Sequence, residues 1–279
     1  MPTTQNCVKF HDGRIAPQLG YGTWQTGNDV AAAVVGVALK DGYRLVDTAA
    51  IYGNEVGIGQ GIAESGLARE ELFIATKLWN DRHDYDSAMA AFSESVKRLG
   101  LDYVDLYLIH WPVPKNDKYI DAWKALIQLH DEGRVKSIGV CNFNIGHLQR
   151  LLDETGVLPV VNQIELHPRF QQKALRDFHA QYNILTQAWS PLGRGTMWED
   201  PTLVGVAHKH GRSVAQVMIR WHIQLGNMVI PKSVTPSRIQ ENFQVYDFML
   251  DDDDMALING MDRADGRWGP DPEVFYLPK

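Results

Sequence analysis

Four ionisable side chains follow short apolar runs in the first half of the chain. Asp47 ends "YRLVD", Tyr52 lies five residues on in "TAAIYGNE", Lys77 sits in "LFIATKLW" and His110 closes "VDLYLIH". A carboxylate, a phenol, an ammonium and an imidazole brought to one place can protonate an oxygen that is gaining negative charge. A free Tyr is a feeble acid, with a pKa of about 10. A neighbouring cation stabilises the phenolate and lowers that value. Lys77 is therefore the expected activator of Tyr52, Asp47 the group that keeps Lys77 charged and fixed, and His110 the group that orients a substrate oxygen. Taken singly, each residue has a plainer explanation: Asp47 a turn or helix cap, Tyr52 a packed aromatic, Lys77 a surface cation, His110 a satisfied core histidine. Four such groups at the same ends of adjacent strands are much harder to explain that way.

The elements that must position them alternate along the chain. Strand-like runs begin at Gln18, Tyr43, Leu72, Val104, Ser137, Val160, Ile184 and Met228, separated by segments with helical spacing such as Asp86 to Leu99 and Tyr119 to Asp131. The strands are apolar and largely unalternating, as in parallel sheets covered by helices on both sides. Eight such units predict an α/β fold, a (β/α)8 TIM barrel, whose working face lies at the C-terminal ends of the strands. No GxGxxG follows the first strand, which removes the main argument for a Rossmann domain. Val8 to Ala16 reads as an N-terminal β-hairpin with an Asp-Gly turn. "EDPTLVGVAHKHG" adds a helix after the seventh strand, and "LDDDDMALINGMD" reads as a C-terminal helix with carboxylates in its first turn. The tail from Asp262 to Lys279 reads as a loop packed over the body. No linker or repeat interrupts the chain, so residues 1–279 are expected to form a single domain.

Composition narrows the partners. The 279 residues are 44% hydrophobic and 22% charged, with a net charge of -7. No Lys/Arg cluster stands out, so nucleic acid and anionic membrane are poor partners. Val30 to Leu39 is too short to span a bilayer and is interrupted by Gly36. The first residues lack the basic and apolar regions of a secretion signal. Cys7 and Cys141 are far apart and without CxxC spacing, which argues against a disulfide framework and a Cys-based metal site; the acidic run at Asp251 is read as a helix start. A cytoplasmic monomer with no metal is the expectation.

Two further groupings bear on a ligand. Trp24, Trp79, Trp111 and Trp189 all fall just after strands. They can form flat apolar walls that exclude water, and Trp189 is a candidate to stack on a planar ring. After the eighth strand, "IPKSVTPSRIQEN" places Thr235 as an N-cap before Pro236, with Arg238 and Asn242 on one helix face and Lys232 and Ser233 just upstream. Barrels often bind phosphate there. Two readings stay open: a phosphate site, or an ordinary capped surface helix.

As a set, "GYGTW", "VDTAAIYGNE", "IATKLWN", "LYLIHWP", "GVCNF", "VVNQIELHP" and "IPKS" resemble the motifs of the aldo-keto reductase family, in order, from about Gly20 to Asn242. "AAIYGNE" and "TKLWNDRHD" are most similar to its small bacterial members, including 2,5-diketo-D-gluconate reductases. The resemblance implies an Asp47-Tyr52-Lys77-His110 tetrad with Tyr52 as general acid, and NADPH bound in extended form and delivering hydride to a carbonyl. It implies nicotinamide contacts from Asn142, Gln163 and Trp189, with Gly22, Thr23 and Asp47 nearby. It also implies pyrophosphate contacts from the loop Ser190 to Gly195, including Leu192 and Gly193. Lys232, Ser233 and Arg238 would meet the adenosine 2'-phosphate and Asn242 the adenine, with Val234 also among the cofactor-binding residues. Trp24, Trp79 and Trp111 would line the substrate side with Tyr52 and His110. The chain departs from the family pattern at Cys141, where Ser is usual, at Trp189, where many members have Tyr, and at Thr235, where some have Arg.

The activity so implied is reduction of a small polar aldehyde or ketone, of the 2,5-diketo-D-gluconate keto sugar acid type. The alternatives are a detoxifying reductase of methylglyoxal-like dicarbonyls or β-keto esters, or a slow-turnover NADPH-binding regulatory subunit. Arg263, Arg267 and Trp268 in the tail are candidates to reach an acidic substrate, with solvent exposure the simpler expectation for the two arginines.

Overall fold

The computed structural model describes residues 5–276. The ends of the expected 1–279 unit, and with them the last residues of the tail, lie outside the described residues.

Strands β1 (Cys7–Lys9) and β2 (Ile15–Pro17) pair antiparallel with Val8 opposite Ala16. Gly13, at φ 91°, takes the left-handed conformation that the expected Asp-Gly turn requires. Phe10 and Ala16 of this hairpin bury against Phe73 and plug one end of the barrel.

Eight parallel strands follow: β3 (Gly20–Gly22), β4 (Leu45–Asp47), β5 (Phe73–Leu78), β6 (Val104–Ile109), β7 (Val135–Cys141), β8 (Val161–Glu165), β9 (Leu185–Trp189) and β10 (Met228–Val229). They lie side by side in chain order. The sheet closes where Val229 N–H donates to the Gln18 carbonyl at 2.9 Å and Gly22 N–H to the Pro231 carbonyl at 3.1 Å. A Cβ on Gly22 would lie 2.8 Å from the Ile230 carbonyl oxygen, so the seam needs glycine. The structure is the (β/α)8 barrel expected from the alternation of elements.

The helices are α1 (Asn28–Asp41), α2 (Glu55–Glu64), α3 (Tyr85–Leu99), α4 (Tyr119–Asp131), α5 (Ile145–Thr155), α6 (Lys173–Gln181), α7 (Pro201–His210), α8 (Val214–Gln224), α9 (Pro236–Phe243) and α10 (Asp252–Asn259). In α4, Ile120, Trp123, Leu126 and Leu129 recur at three-residue spacing and bury against the sheet. Full burial of such side chains stabilises by roughly 1.5–3 kcal/mol each. The acidic run caps α10: Asp251 accepts the Asp254 N–H at 2.9 Å, and Asp254 accepts the Asp251 N–H at 3.1 Å. At α9, Thr235 occupies the expected cap position but its side chain does not cap; its N–H donates instead to Ser233 Oγ at 3.1 Å. Among the described residues no helix is long and apolar enough to cross a membrane.

Strand alternation divides the core in two. Leu45, Ala75, Leu106, Leu108, Val161 and Met228 fill the barrel interior. Val46, Ile74, Tyr107, Ile109, Val140 and Ile164 face the helices. Continuing the inward parity along each strand leads from Leu45 to Asp47, from Ala75 to Lys77, from Leu108 to His110 and from Val161 to Gln163. The same periodicity that packs the core therefore delivers the polar groups to one mouth.

Candidate active site

The Lys77 ammonium lies at the centre of that mouth. It donates to Asp47 Oδ1 at 2.5 Å and to the Thr48 carbonyl at 2.8 Å. Asp47 Oδ2 accepts from Gln163 Nε2 at 2.9 Å, and the Asp47 carbonyl accepts from Thr23 Oγ1 at 2.9 Å. Both charges are buried, so the pair is acceptable only because the remaining lone pairs and protons are matched. Burial acts to lower the Lys77 pKa, but Asp47, then Tyr52 and Cys141, outweigh it and push it up.

Tyr52 stands on a short 3-10 helix, Ala50–Tyr52, with its ring centre 5.1 Å from Lys77 Nζ and 5.7 Å from the His110 ring. Lys77 acts on the phenol in the expected direction, lowering its pKa, but burial is the larger effect. Burial of the hydroxyl end raises it; Lys77 opposes the rise, Asp47 and Cys141 add to it, and the net shift is upward. The phenol thus holds its proton throughout the neutral range. His110 is held neutral: burial, then Lys77 and His83, push its pKa well below 6.5. Trp79 meets the His110 ring edge-on at 5.0 Å. The four residues of the expected tetrad are therefore brought together.

A cavity of about 1670 Å³ runs outward from this cluster, and Gly22, Thr23, Cys141, Asn142, Gln163, Trp189, Ser190, Leu192 and Lys232 contribute to its wall. Asn142, left-handed at φ 63°, donates to the His110 carbonyl at 3.0 Å and accepts from Trp189 Nε1 at 2.8 Å. That bond fixes the plane of the Trp189 ring. Burial pushes the Cys141 thiol up, so it stays protonated; it donates weakly to Gln163 Oε1 at 3.5 Å. Lys232 donates to the Gln25 carbonyl at 3.1 Å, and burial lowers its pKa. Gly193, Ser233, Val234, Arg238 and Asn242 stand outside the cavity wall. Gly193 packs against Met197 and Trp268, Val234 and Arg238 are exposed, and Asn242 is buried in α9.

On the other side Trp24, Trp79 and Trp111 line the cavity, together with Ile51, Val113, Pro270, Phe275 and Tyr276. Phe275 packs on Trp111 at 4.2 Å between ring centres. The tail thus contributes apolar wall, while Arg263, Arg267 and Trp268 stay out of the cavity. Arg263 is exposed, Arg267 lies over the Phe170 ring at 4.7 Å, and Trp268 stacks on His167 at 4.0 Å. What seats the tail is Glu165, whose two oxygens accept the Trp268 and Gly269 N–H groups at 2.8 Å each. Sequence reasoning passed over Glu165, although "NQIELHP" places a carboxylate at a strand end. It assigned no role to Gln25, gave Asn54 only a turn into α2, and included Arg194 only within the Ser190–Gly195 loop; Arg194 lies over the Trp24 ring at 5.4 Å. Among the described residues no group of three or more metal-ligating side chains is assembled.

The arrangement has counterparts of known kind. The Aldo/keto reductase family model matches residues 18–263. An aldo-keto reductase of Mycolicibacterium smegmatis is 53% identical over 268 residues, covering 96% of this chain and 97% of the relative. Methylglyoxal reductase DkgA of Escherichia coli K12 is 52% identical over 270 residues, covering 96% and 97%. A crystal structure of a Gox0644 mutant in complex with NADPH superposes with a TM-score of 0.95 at 52% identity, covering 99% of this chain and 100% of that one. Matches of this extent, to a chain whose barrel mouth gathers Asp47, Tyr52, Lys77 and His110, place it in the aldo/keto reductase family.

Proposed function

We propose that the protein reduces the carbonyl of a small dicarbonyl, of which methylglyoxal is the type, to an alcohol with NADPH. The observation that carries this reading is the convergence of a protonated phenol, a buried ammonium and a neutral imidazole, Tyr52, Lys77 and His110, at one cavity wall. The residues present suit the cofactor. Trp189 offers a flat wall fixed by Asn142, and Lys232 presents an ammonium bound to a carbonyl rather than to a carboxylate, ready for a phosphate. The NADPH bound in the Gox0644 structure supports the same assignment.

When bound, NADPH supplies the hydride that adds to the carbonyl carbon. The carbonyl's π pair then moves to its oxygen, which takes the Tyr52 hydroxyl proton. The phenolate left behind is offset by Lys77 until it regains a proton from solvent. His110, neutral, orients the substrate oxygen without competing as an acid. Gly22, Thr23, Asn142, Gln163, Trp189, Ser190 and Leu192 would hold the cofactor along the wall. Lys232 would meet its 2'-phosphate, with Ser233, Val234 and Arg238 at the outer end, Gly193 behind the loop and Asn242 supporting α9.

The names of relatives such as the Escherichia coli methylglyoxal reductase favour the dicarbonyl. A 2,5-diketo-D-gluconate-type keto sugar acid is the second reading, favoured by Lys115 on the cavity wall, a cation for its carboxylate. Steady-state oxidation of NADPH with methylglyoxal and with the keto sugar acid decides between them through kcat/KM. Higher kcat/KM for methylglyoxal supports the first reading. Tight NADPH binding with negligible turnover of every carbonyl would contradict both.

A further inference from the structure

Asn54 stands at the start of α2, where an Asn ordinarily caps the helix through its side-chain oxygen. Here its side chain makes no capping bond. The N–H it would serve, that of Gly57, donates to Asn28 Oδ1 of α1 at 2.8 Å instead. So released, the fully buried Asn54 amide reaches across two loops. Its Oδ1 accepts from Thr48 Oγ1 at 2.7 Å, and its Nδ2 donates to the Thr23 carbonyl at 2.9 Å and the Thr26 carbonyl at 3.1 Å. A local rule is broken, and the gain is a junction between the loops after β3 and β4.

The two carbonyls held by Asn54 flank Gln25, a non-glycine residue at φ 56°. Such a conformation persists only where its surroundings hold it. It presents the Gln25 carbonyl that accepts from Lys232. On the other loop, the Thr48 carbonyl accepts from Lys77, and Tyr52 lies two residues before Asn54. We propose that Asn54 is a positioning residue that holds Lys232 in register with the Tyr52 loop, and so sets the preference for NADPH over NADH. This rests on the reading of Lys232 as a 2'-phosphate contact.

The test is titration of NADPH and NADH against wild type, Asn54→Ala, Asn54→Ser, Glu55→Gln and Lys232→Ala. Asn54→Ser removes the amide that holds the two carbonyls without burying a charge, and Ser is a favoured residue at a helix start, so it remains informative where Asn54→Ala fails to fold. The ratio of the two dissociation constants is expected to fall roughly 3- to 10-fold in the Asn54 variants, the scale of one net hydrogen bond. Glu55→Gln disturbs the bonds from Thr76 at 2.6 Å and Arg98 at 2.7 Å at the same helix start. It should lower Tm and leave the ratio intact. Loss of Tm with an unchanged ratio in the Asn54 variants, while Lys232→Ala loses the preference, overturns the positioning role alone. The same loss of preference in Glu55→Gln would mean general loosening and also overturns it. An unchanged ratio in Lys232→Ala removes the phosphate reading, and the proposal with it.

Discussion

Lys77 Nζ lies 2.5 Å from Asp47 Oδ1, with both side chains enclosed by the barrel. Removing one partner leaves the other charge buried and unmatched. Asp47→Ala should therefore destabilise the fold by about 3–5 kcal/mol, whereas exposed ion pairs contribute about 0–1 kcal/mol. Denaturant unfolding measures this directly. A loss no larger than that of Lys173→Ala, whose pair with Asp177 is exposed, would mean the Asp47 pair is not what steadies the mouth.

The pH profile of reduction follows from the two shifts beside that pair. Tyr52 is raised above 10, so its proton is lost only in strong alkali, and His110 is lowered well below 6.5, so it stays neutral. The expected kcat/KM for carbonyl reduction is flat from about pH 6.5 to about 9. A titration near 6.5 in that profile would show that His110 changes charge, against the burial and the Lys77 cation described above.

Acid stability has another source. Burial lowers His83 to about 4, and His179 and His222 to about 3, from 6.5. Each binds its proton more weakly folded than unfolded, so the stability is present above the unfolded value and is lost as pH falls toward the folded one. His83→Leu removes one such group, at a site whose ring nitrogens have no hydrogen-bond partner among the described residues. Unfolding free energies between pH 7 and 4 should decline less steeply for the variant. Parallel declines would exclude His83 as a source of acid lability.

Glu165 should act on substrate binding through the tail. In Glu165→Gln one tail N–H would face an amide donor, at a cost of about 1–3 kcal/mol. The wall formed by Phe275 against Trp111 would then loosen. The expected outcome is a raised KM for the carbonyl with kcat little changed. Equal loss in kcat would place Glu165 in the chemistry instead.

Much of this was legible in the chain because it follows from local periodicity. Alternation along the strands points Asp47, Lys77 and His110 the same way as Leu45, Ala75 and Leu108. The barrel, the hairpin and the α10 cap follow from similarly short-range patterns. The net rise of the Tyr52 pKa was not legible, because it depends on how deeply folding encloses a hydroxyl. Glu165 bonds to Trp268 and Gly269, more than a hundred residues away, and nothing near either segment signals the pairing. The role of Asn54 was not legible either, because it depends on Asn28, from another helix, taking the Gly57 N–H. Arg267 and Trp268 drew attention as possible substrate contacts, but packing against Phe170 and His167 holds them away.

The central claim is that the Tyr52 hydroxyl delivers the proton. Tyr52→Phe removes that hydroxyl and keeps the ring that packs against His110 at 5.7 Å. Single-turnover reduction of methylglyoxal by preformed protein–NADPH complex, with cofactor affinity measured alongside, tests it most directly. The account predicts a rate lower by at least about 100-fold with NADPH binding nearly unchanged. A variant that still reduces methylglyoxal within a few-fold of the wild-type rate would contradict it.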